Sequence, residues 1–173
     1  ERRSAANHQT SMPTSHGIDH AEISLKTTSA EETHAVGARL GRLLRPGVLV
    51  ALIGPLGAGK TCFVQGLAEG LGVEGAITSP TFVLMRLHRG EVALCHVDAY
   101  RLSDAEELLD LGFDDWLAES VVALEWADTV IEVLPRERIE VVIDYADHQG
   151  RILRLRGLGD GPARIIERMS DND

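Results

Sequence analysis

A single α/β domain, with a mixed central β-sheet flanked by helices, is the fold class that three features of this 173-residue chain predict. The run Val48-Leu49-Val50-Ala51-Leu52-Ile53 is apolar throughout, as a parallel strand buried on both faces must be. The glycine-rich octet Gly54-Pro55-Leu56-Gly57-Ala58-Gly59-Lys60-Thr61 follows directly, and Phe63, Val64, Leu67, Ala68 and Leu71 then recur at helical spacing up to Gly72. Elsewhere helices alternate with strands, interrupted by two hairpin signals, so the sheet is mixed rather than purely parallel.

The elements read as follows. Residues Glu1 to His20 are polar and aperiodic and are expected to be a disordered extension. The folded domain spans 21–157. Ala21 to Lys26 alternates apolar and polar residues, the pattern of a half-buried strand. Ser29-Ala30-Glu31-Glu32 reads as a capping box, opening a helix whose Ala35, Val36, Leu40, Leu43 and Leu44 share a face. Pro46-Gly47 turns the chain into the apolar strand. After the glycine-rich loop and its helix, residues 73–80 form a connection and 81–88 a strand. Arg89-Gly90 predicts a tight hairpin into the strand 92–98. Ser103-Asp104-Ala105-Glu106 is a second capping box, with a helical stretch up to about Gly112. Val121 to Leu124 is a short buried strand ending in Glu125, and 127–134 is helical, stopping before Pro135. Residues 139–145 and 151–156 form a last hairpin around His148-Gln149-Gly150. Residues 158–173 hold a short helix from Pro162 and a tail expected to fray from Met169.

The octet matches G-x-x-x-x-G-K-[ST], the loop that wraps nucleotide phosphates, and strand-loop-helix is the context that motif requires. Polyphosphate carries dense negative charge, so the loop must aim several backbone N–H groups inward, and glycines permit that curvature. The following helix presents its positive dipole end. Lys60 supplies a mobile cation, and the Thr61 hydroxyl is a candidate Mg²⁺ ligand. The domain is thus expected to be a P-loop NTPase that holds ATP or ADP with Mg²⁺.

Hydrolysis also needs carboxylates, which in open α/β sheets sit at the carboxyl ends of buried strands. Asp98 and Glu125 both follow apolar strands and are the candidates. His96, Asp98 and Tyr100 alternate and are expected on one strand face. His96 reads as a structural histidine before a catalytic one. Arg101 fits either a charge-neutralising role or a pairing with the acidic stretch 103–128, which has no Lys or Arg. Trp126 fits packing or stacking on a base. Ser79-Pro80-Thr81-Phe82 fits either a γ-phosphate-sensing switch or a plain helix-to-strand turn.

The formal charge of −10 excludes a simple basic nucleic-acid binder. Cys62 and Cys95 have no metal or CxxC spacing, so reduced thiols and a cytoplasmic location are expected. No run reaches membrane-spanning length and no signal-peptide core is visible.

The ordered set of the octet, Ser79-Pro80-Thr81-Phe82, His96-Val97-Asp98-Ala99-Tyr100-Arg101 and Glu125-Trp126 resembles the bacterial TsaE (YjeE) family, the ATPase of tRNA threonylcarbamoyladenosine biosynthesis. The resemblance covers about residues 22–157. It implies that Lys60 and the loop amides hold phosphate, that Thr61 and Glu125 are the Mg²⁺ ligands, and that Asp98 stands near the γ-phosphate and supports hydrolysis. It also implies that Trp126, Ala30 and Gly150 lie near the base. Implied too is a weak ATPase tied to the TsaB–TsaD heterodimer, which modifies adenosine-37 of tRNA, so that tRNA is met only through that complex. Alone, the protein is expected to be a monomer, with no membrane partner. Cys62 stands where the family commonly has a second threonine. A small-molecule kinase is the competing reading, but such enzymes carry an arginine-rich lid. A GTP switch lacks its N-K-x-D motif here.

Overall fold

The computed structural model describes residues 20–78 and 84–171. The expected N-terminal extension therefore lies outside the described residues except for His20, as do Ser79-Pro80-Thr81-Phe82 and the last two residues of the tail. Among the described residues the strands are β1 His20–Thr27, β2 Leu49–Ile53, β3 Met85–His88, β4 Leu94–Asp98, β5 Val121–Glu125, β6 Arg138–Tyr145 and β7 Arg151–Leu158. The α-helices are α1 Ala30–Gly41, α2 Lys60–Gly70, α3 Ala105–Asp110, α4 Phe113–Glu119 and α5 Asp160–Ser170.

One seven-stranded sheet runs in the order β1-β7-β6-β2-β5-β4-β3. Its centre, β6-β2-β5-β4, is parallel, and antiparallel pairs flank it on both sides. The apolar run that predicts a central strand is β2, paired in parallel with β5 and β6. Val50, Leu52, Val121, Ala123 and Ile143 pack with residues of α1, α2 and α5 on one face. Ala51, Cys95, Val97, Val122 and Leu124 pack with Leu108 and Phe113 on the other.

α1 and α2 cross so closely that no Cβ fits at Gly37, Gly41, Gly66 or Gly70. A Cβ on Gly66 would lie 2.0 Å from the His34 carbonyl oxygen, and one on Gly37 would lie 2.3 Å from that of Phe63. These glycines bring α2, and with it the glycine-rich loop, against α1.

Several boundaries differ from expectation for local reasons. Ser29 Oγ does accept from Glu32 N at 3.2 Å, but Glu32 reaches past Ser29 to the backbone and hydroxyl of Thr28. The second capping box is shifted by one residue. Asp104, not Ser103, caps α3 by accepting from Glu107 N, while Glu107 accepts from Ser103 N. The hairpin at Arg89-Gly90 is not tight, because His88 pairs with Leu94 and five residues intervene. β3 starts at Met85, after a bend at Leu84, and 81–83 of the expected strand lie outside the described residues. α4 is an additional helix beyond Gly112. Residues 127–133 are 3-10 in character, kinked at Val130. At the C-terminus β7 continues to Leu158, one residue past the division expected at 157/158. α5 then packs on β1 and β7, burying Met169, whose carbonyl accepts from Arg39 Nη2, so the chain does not fray there.

Candidate nucleotide site

The loop between β2 and α2 leaves the carboxyl edge of the sheet, where β4 and β5 also end. Gly59 immediately precedes α2 with φ +110°, in the region open to glycine and costly for other residues. Lys60 is only 5% exposed. Its Nζ donates to the carbonyl oxygens of Gly54 (2.6 Å) and Pro55 (2.9 Å) and lies 4.0 Å from the Trp126 ring centroid. Burial lowers its pKa, against opposing pulls from Glu125, Asp128 and Asp98. The surroundings thus leave the ammonium with less stabilisation than water gives it. An anion placed beside Lys60 would make up that deficit.

The two candidate carboxylates end neighbouring strands, with Asp98 in register opposite Glu125. Glu125 is 3% exposed and His96 is fully buried. His96 Nε2 lies 2.6 Å from Glu125 Oε2, while Thr61 Oγ1 donates to Glu125 Oε1 at 3.0 Å. His96 therefore holds one oxygen of Glu125 and leaves the other facing the first turn of α2. Asp98 Oδ1 accepts from Tyr100 N at 2.9 Å, which starts a 3-10 turn over Ala99–Arg101. Tyr100 accordingly leaves the strand face on which alternation places it. It is 65% exposed and its ring centroid is 4.9 Å from that of Trp126. Trp126 itself has φ +58°, unlike any other non-glycine residue described.

A cavity of about 460 Å³ is lined by Leu56, Gly57, Gly59, Lys60, Thr61, Cys62, Asp98, Tyr100, Arg101, Glu125 and Trp126. On the other side of the loop a second cavity, about 160 Å³, is lined by Ser29, Ala30, Thr33, Gln149 and Arg151, with Ala58 and the loop glycines. The carboxylates, Lys60 and Thr61 come together in the first. Ala30 lines the second, beside the neighbours of Gly150. Trp126 is not with them: the ring that the family resemblance places near the base, with Ala30 and Gly150, stands in the larger cavity against Lys60.

The donor set fits Mg²⁺, a hard cation that prefers oxygen. Thr61 Oγ1 and Glu125 Oε1 converge, and Asp98 shares their cavity. Among the described residues no group of three or more His, Cys, Asp or Glu is arranged to hold a metal. A cation held by Thr61 and Glu125 would thus be completed by phosphate and water oxygens, as Mg²⁺ commonly is. Both cysteines are free thiols. Burial raises the Cys62 pKa and pushes that of Cys95, in the core, up to about 12, so neither is an activated nucleophile.

A family model described as threonylcarbamoyl adenosine biosynthesis protein TsaE matches residues 27–153. The chain belongs to the TsaE family. The matched span contains every residue that lines either cavity. A tRNA threonylcarbamoyladenosine biosynthesis protein TsaE from Streptomyces coelicolor is 47% identical over 133 residues, 72% of this chain and 90% of that protein. One from Bacillus subtilis is 36% identical over 154 residues, 88% of this chain and 96% of that protein. The crystal structure of Bacillus subtilis YdiB superposes with a TM-score of 0.78 at 31% identity, covering 89% of this chain and 97% of that one.

Two residues of this TsaE-family site escape sequence reading. Tyr145 OH donates to the Leu56 carbonyl at 2.8 Å, and Arg151 Nε donates to that of Ala58 at 3.0 Å. Both partners lie about ninety residues away in the chain, and in the sequence they are ordinary hairpin positions.

Proposed function

We propose that this protein is a Mg²⁺-dependent ATPase that supports the TsaB–TsaD heterodimer in threonylcarbamoylation of tRNA adenosine-37. The observation that carries this reading is the convergence of Lys60, Thr61, Glu125 and Asp98 on one cavity, in a chain of the TsaE family. In it, Lys60 turns from the carbonyls of Gly54 and Pro55 to the phosphates. Thr61 and Glu125 would hold Mg²⁺, which would supply charge neutralisation when bound. Asp98 orients water and takes its proton.

Among the described residues lining the larger cavity Arg101 is the single arginine, and the segment after it is acidic. This favours hydrolysis paced by a partner over transfer to a small acceptor, since kinases of this type clamp the phosphoryl group with an arginine-rich lid. tRNA is met through the complex, in the cytoplasm, and the protein alone is a monomer. Among the described residues no helix is long and apolar enough to cross a membrane.

The test is ATP turnover with and without the TsaB–TsaD pair. Stimulation that disappears in Lys60→Ala and Asp98→Ala supports the reading. Phosphoryl transfer to a metabolite without partners overturns it.

A further inference from the structure

Tyr145 and Arg151 are register partners that close the β6–β7 hairpin. The guanidinium carbon lies 4.3 Å from the Tyr145 ring centroid, so the two side chains form one unit. That unit grips the phosphate loop from outside. Tyr145 OH donates to the Leu56 carbonyl at 2.8 Å, Arg151 Nη2 to that of Gly57 at 3.4 Å, and Arg151 Nε to that of Ala58 at 3.0 Å. Arg151 Nη1 also donates to the Gly150 carbonyl at 3.0 Å, which ties the guanidinium to its own turn.

The consequence follows from peptide geometry. In a trans peptide the C=O of one residue and the N–H of the next point in opposite directions. Holding the carbonyls of Leu56, Gly57 and Ala58 toward the hairpin therefore aims the N–H groups of Gly57, Ala58 and Gly59 away from it, that of Ala58 donating in this state to the Pro55 carbonyl at 3.1 Å. Those are the amides a phosphate-binding loop needs, and a glycine-rich segment is costly to hold in one conformation by itself. Lys60 occupies the Gly54 and Pro55 carbonyls in this state and must leave them to meet an anion. The hairpin contacts occupy carbonyls, not amides, and so do not compete with phosphate.

We infer that Arg151 and Tyr145 are positioning residues, which pre-organise the phosphate loop by restraining its carbonyls. This rests on the nucleotide-binding reading above. It differs from a packing role because Tyr145 is exposed at the surface rather than buried in either core.

The test combines calorimetric binding of ADP and of inorganic pyrophosphate with hydrogen exchange of the ligand-free loop, for wild type, Arg151→Ala, Arg151→Lys and Tyr145→Phe. Arg151→Ala should weaken both ligands about tenfold, and by the same factor, since the loop amides serve both. Exchange at Gly57–Gly59 should quicken while the unfolding midpoint stays within a few degrees. Arg151→Lys should recover only part of the loss, because an ammonium lacks the planar fork that serves several carbonyls. Tyr145→Phe should give a smaller loss. Unchanged affinity and unchanged exchange in Arg151→Ala overturn the inference, as does a loss confined to ADP, which would place the arginine's effect at the nucleoside. If Arg151→Ala does not fold, Arg151→Lys and Tyr145→Phe carry the same two readouts. Wild-type protein that binds neither ligand overturns the nucleotide reading instead, and the exchange rates then decide the restraint by themselves.

Discussion

Replacing Lys60 with Met should separate binding from stability, and the structure indicates both directions. Lys60 is 5% exposed, and its ammonium donates to two loop carbonyls, at 2.6 and 2.9 Å, beside the face of Trp126. Its pKa is nevertheless lowered, because the cost of burial outweighs the attraction of Glu125, Asp128 and Asp98. A lysine whose folded pKa lies below its ordinary 10.5 binds its proton less tightly in the folded protein than in the unfolded chain. Its charged form therefore detracts from stability at neutral pH. That deficit shrinks as pH rises from the lowered pKa toward 10.5. Methionine of similar length removes the deficit together with the bonds to the Gly54 and Pro55 carbonyls, so Lys60→Met should stay within about 1–2 kcal/mol of wild-type stability at pH 7. The same change removes a charge-assisted bond to phosphate, worth about 1.5–3 kcal/mol, so ADP affinity should fall roughly ten- to hundredfold. Wild-type ADP affinity should also decline with pH before 10.5 is reached, whereas the residual affinity of Lys60→Met should not share that decline. Thermal unfolding with and without ADP, and calorimetry across pH 7–10, provide the measurements. A variant that binds ADP as tightly as wild type, or that loses several kcal/mol of stability without ligand, refutes the reasoning.

Three further outcomes follow from the geometry. Glu125→Gln keeps the shape beside Thr61 and His96 but removes the charge, so Mg²⁺ should no longer enhance ADP binding while Mg²⁺-free binding persists; titration in Mg²⁺ and in chelator checks this. Gly66→Ala drives a Cβ to 2.0 Å from the His34 carbonyl and should destabilise the fold by about 1–3 kcal/mol or more, read as a lowered denaturant midpoint at constant slope. Trp126→Gly releases the strain of φ +58° that Trp126→Ala retains, so the glycine variant should be the more stable of the two by about 1 kcal/mol in chemical denaturation, although both lose the ring contacts to Lys60 and Tyr100.

What was legible in the sequence is what short-range pattern controls. The apolar run of β2, the octet and the helical repeat of α2 each specify their element within a dozen residues. The carboxyl-edge position of Asp98 and Glu125 follows from buried strands ending there. Misread features depend on side chains that choose between equivalent local options. Ser103 and Asp104 each have an acid three residues on, and the structure uses the second pair. Tyr100 continues the alternation of β4 on paper, but Asp98 captures its backbone N–H and ends the strand. Gly112, read as a helix end, is also the joint after which Phe113, Trp116 and Leu117 repeat at helical spacing to form α4. Wholly non-local contacts left no mark. His96 meets Glu125 across 29 positions, and Arg151 meets Ala58 across 93. Trp126 stands against Lys60 because the chain turns through a left-handed conformation at the end of β5, which no spacing reports.

In the proposed function the cavity bounded by Lys60, Thr61, Asp98, Glu125 and Trp126 holds a Mg²⁺-nucleotide. Calorimetric titration of the purified protein with ATP, in the presence and absence of Mg²⁺, tests it most directly. The expected result is saturable one-to-one binding that Mg²⁺ tightens in wild type and fails to tighten in Thr61→Ala. Absence of binding under both conditions, or Mg²⁺ enhancement that survives in Thr61→Ala and in Glu125→Gln alike, contradicts it.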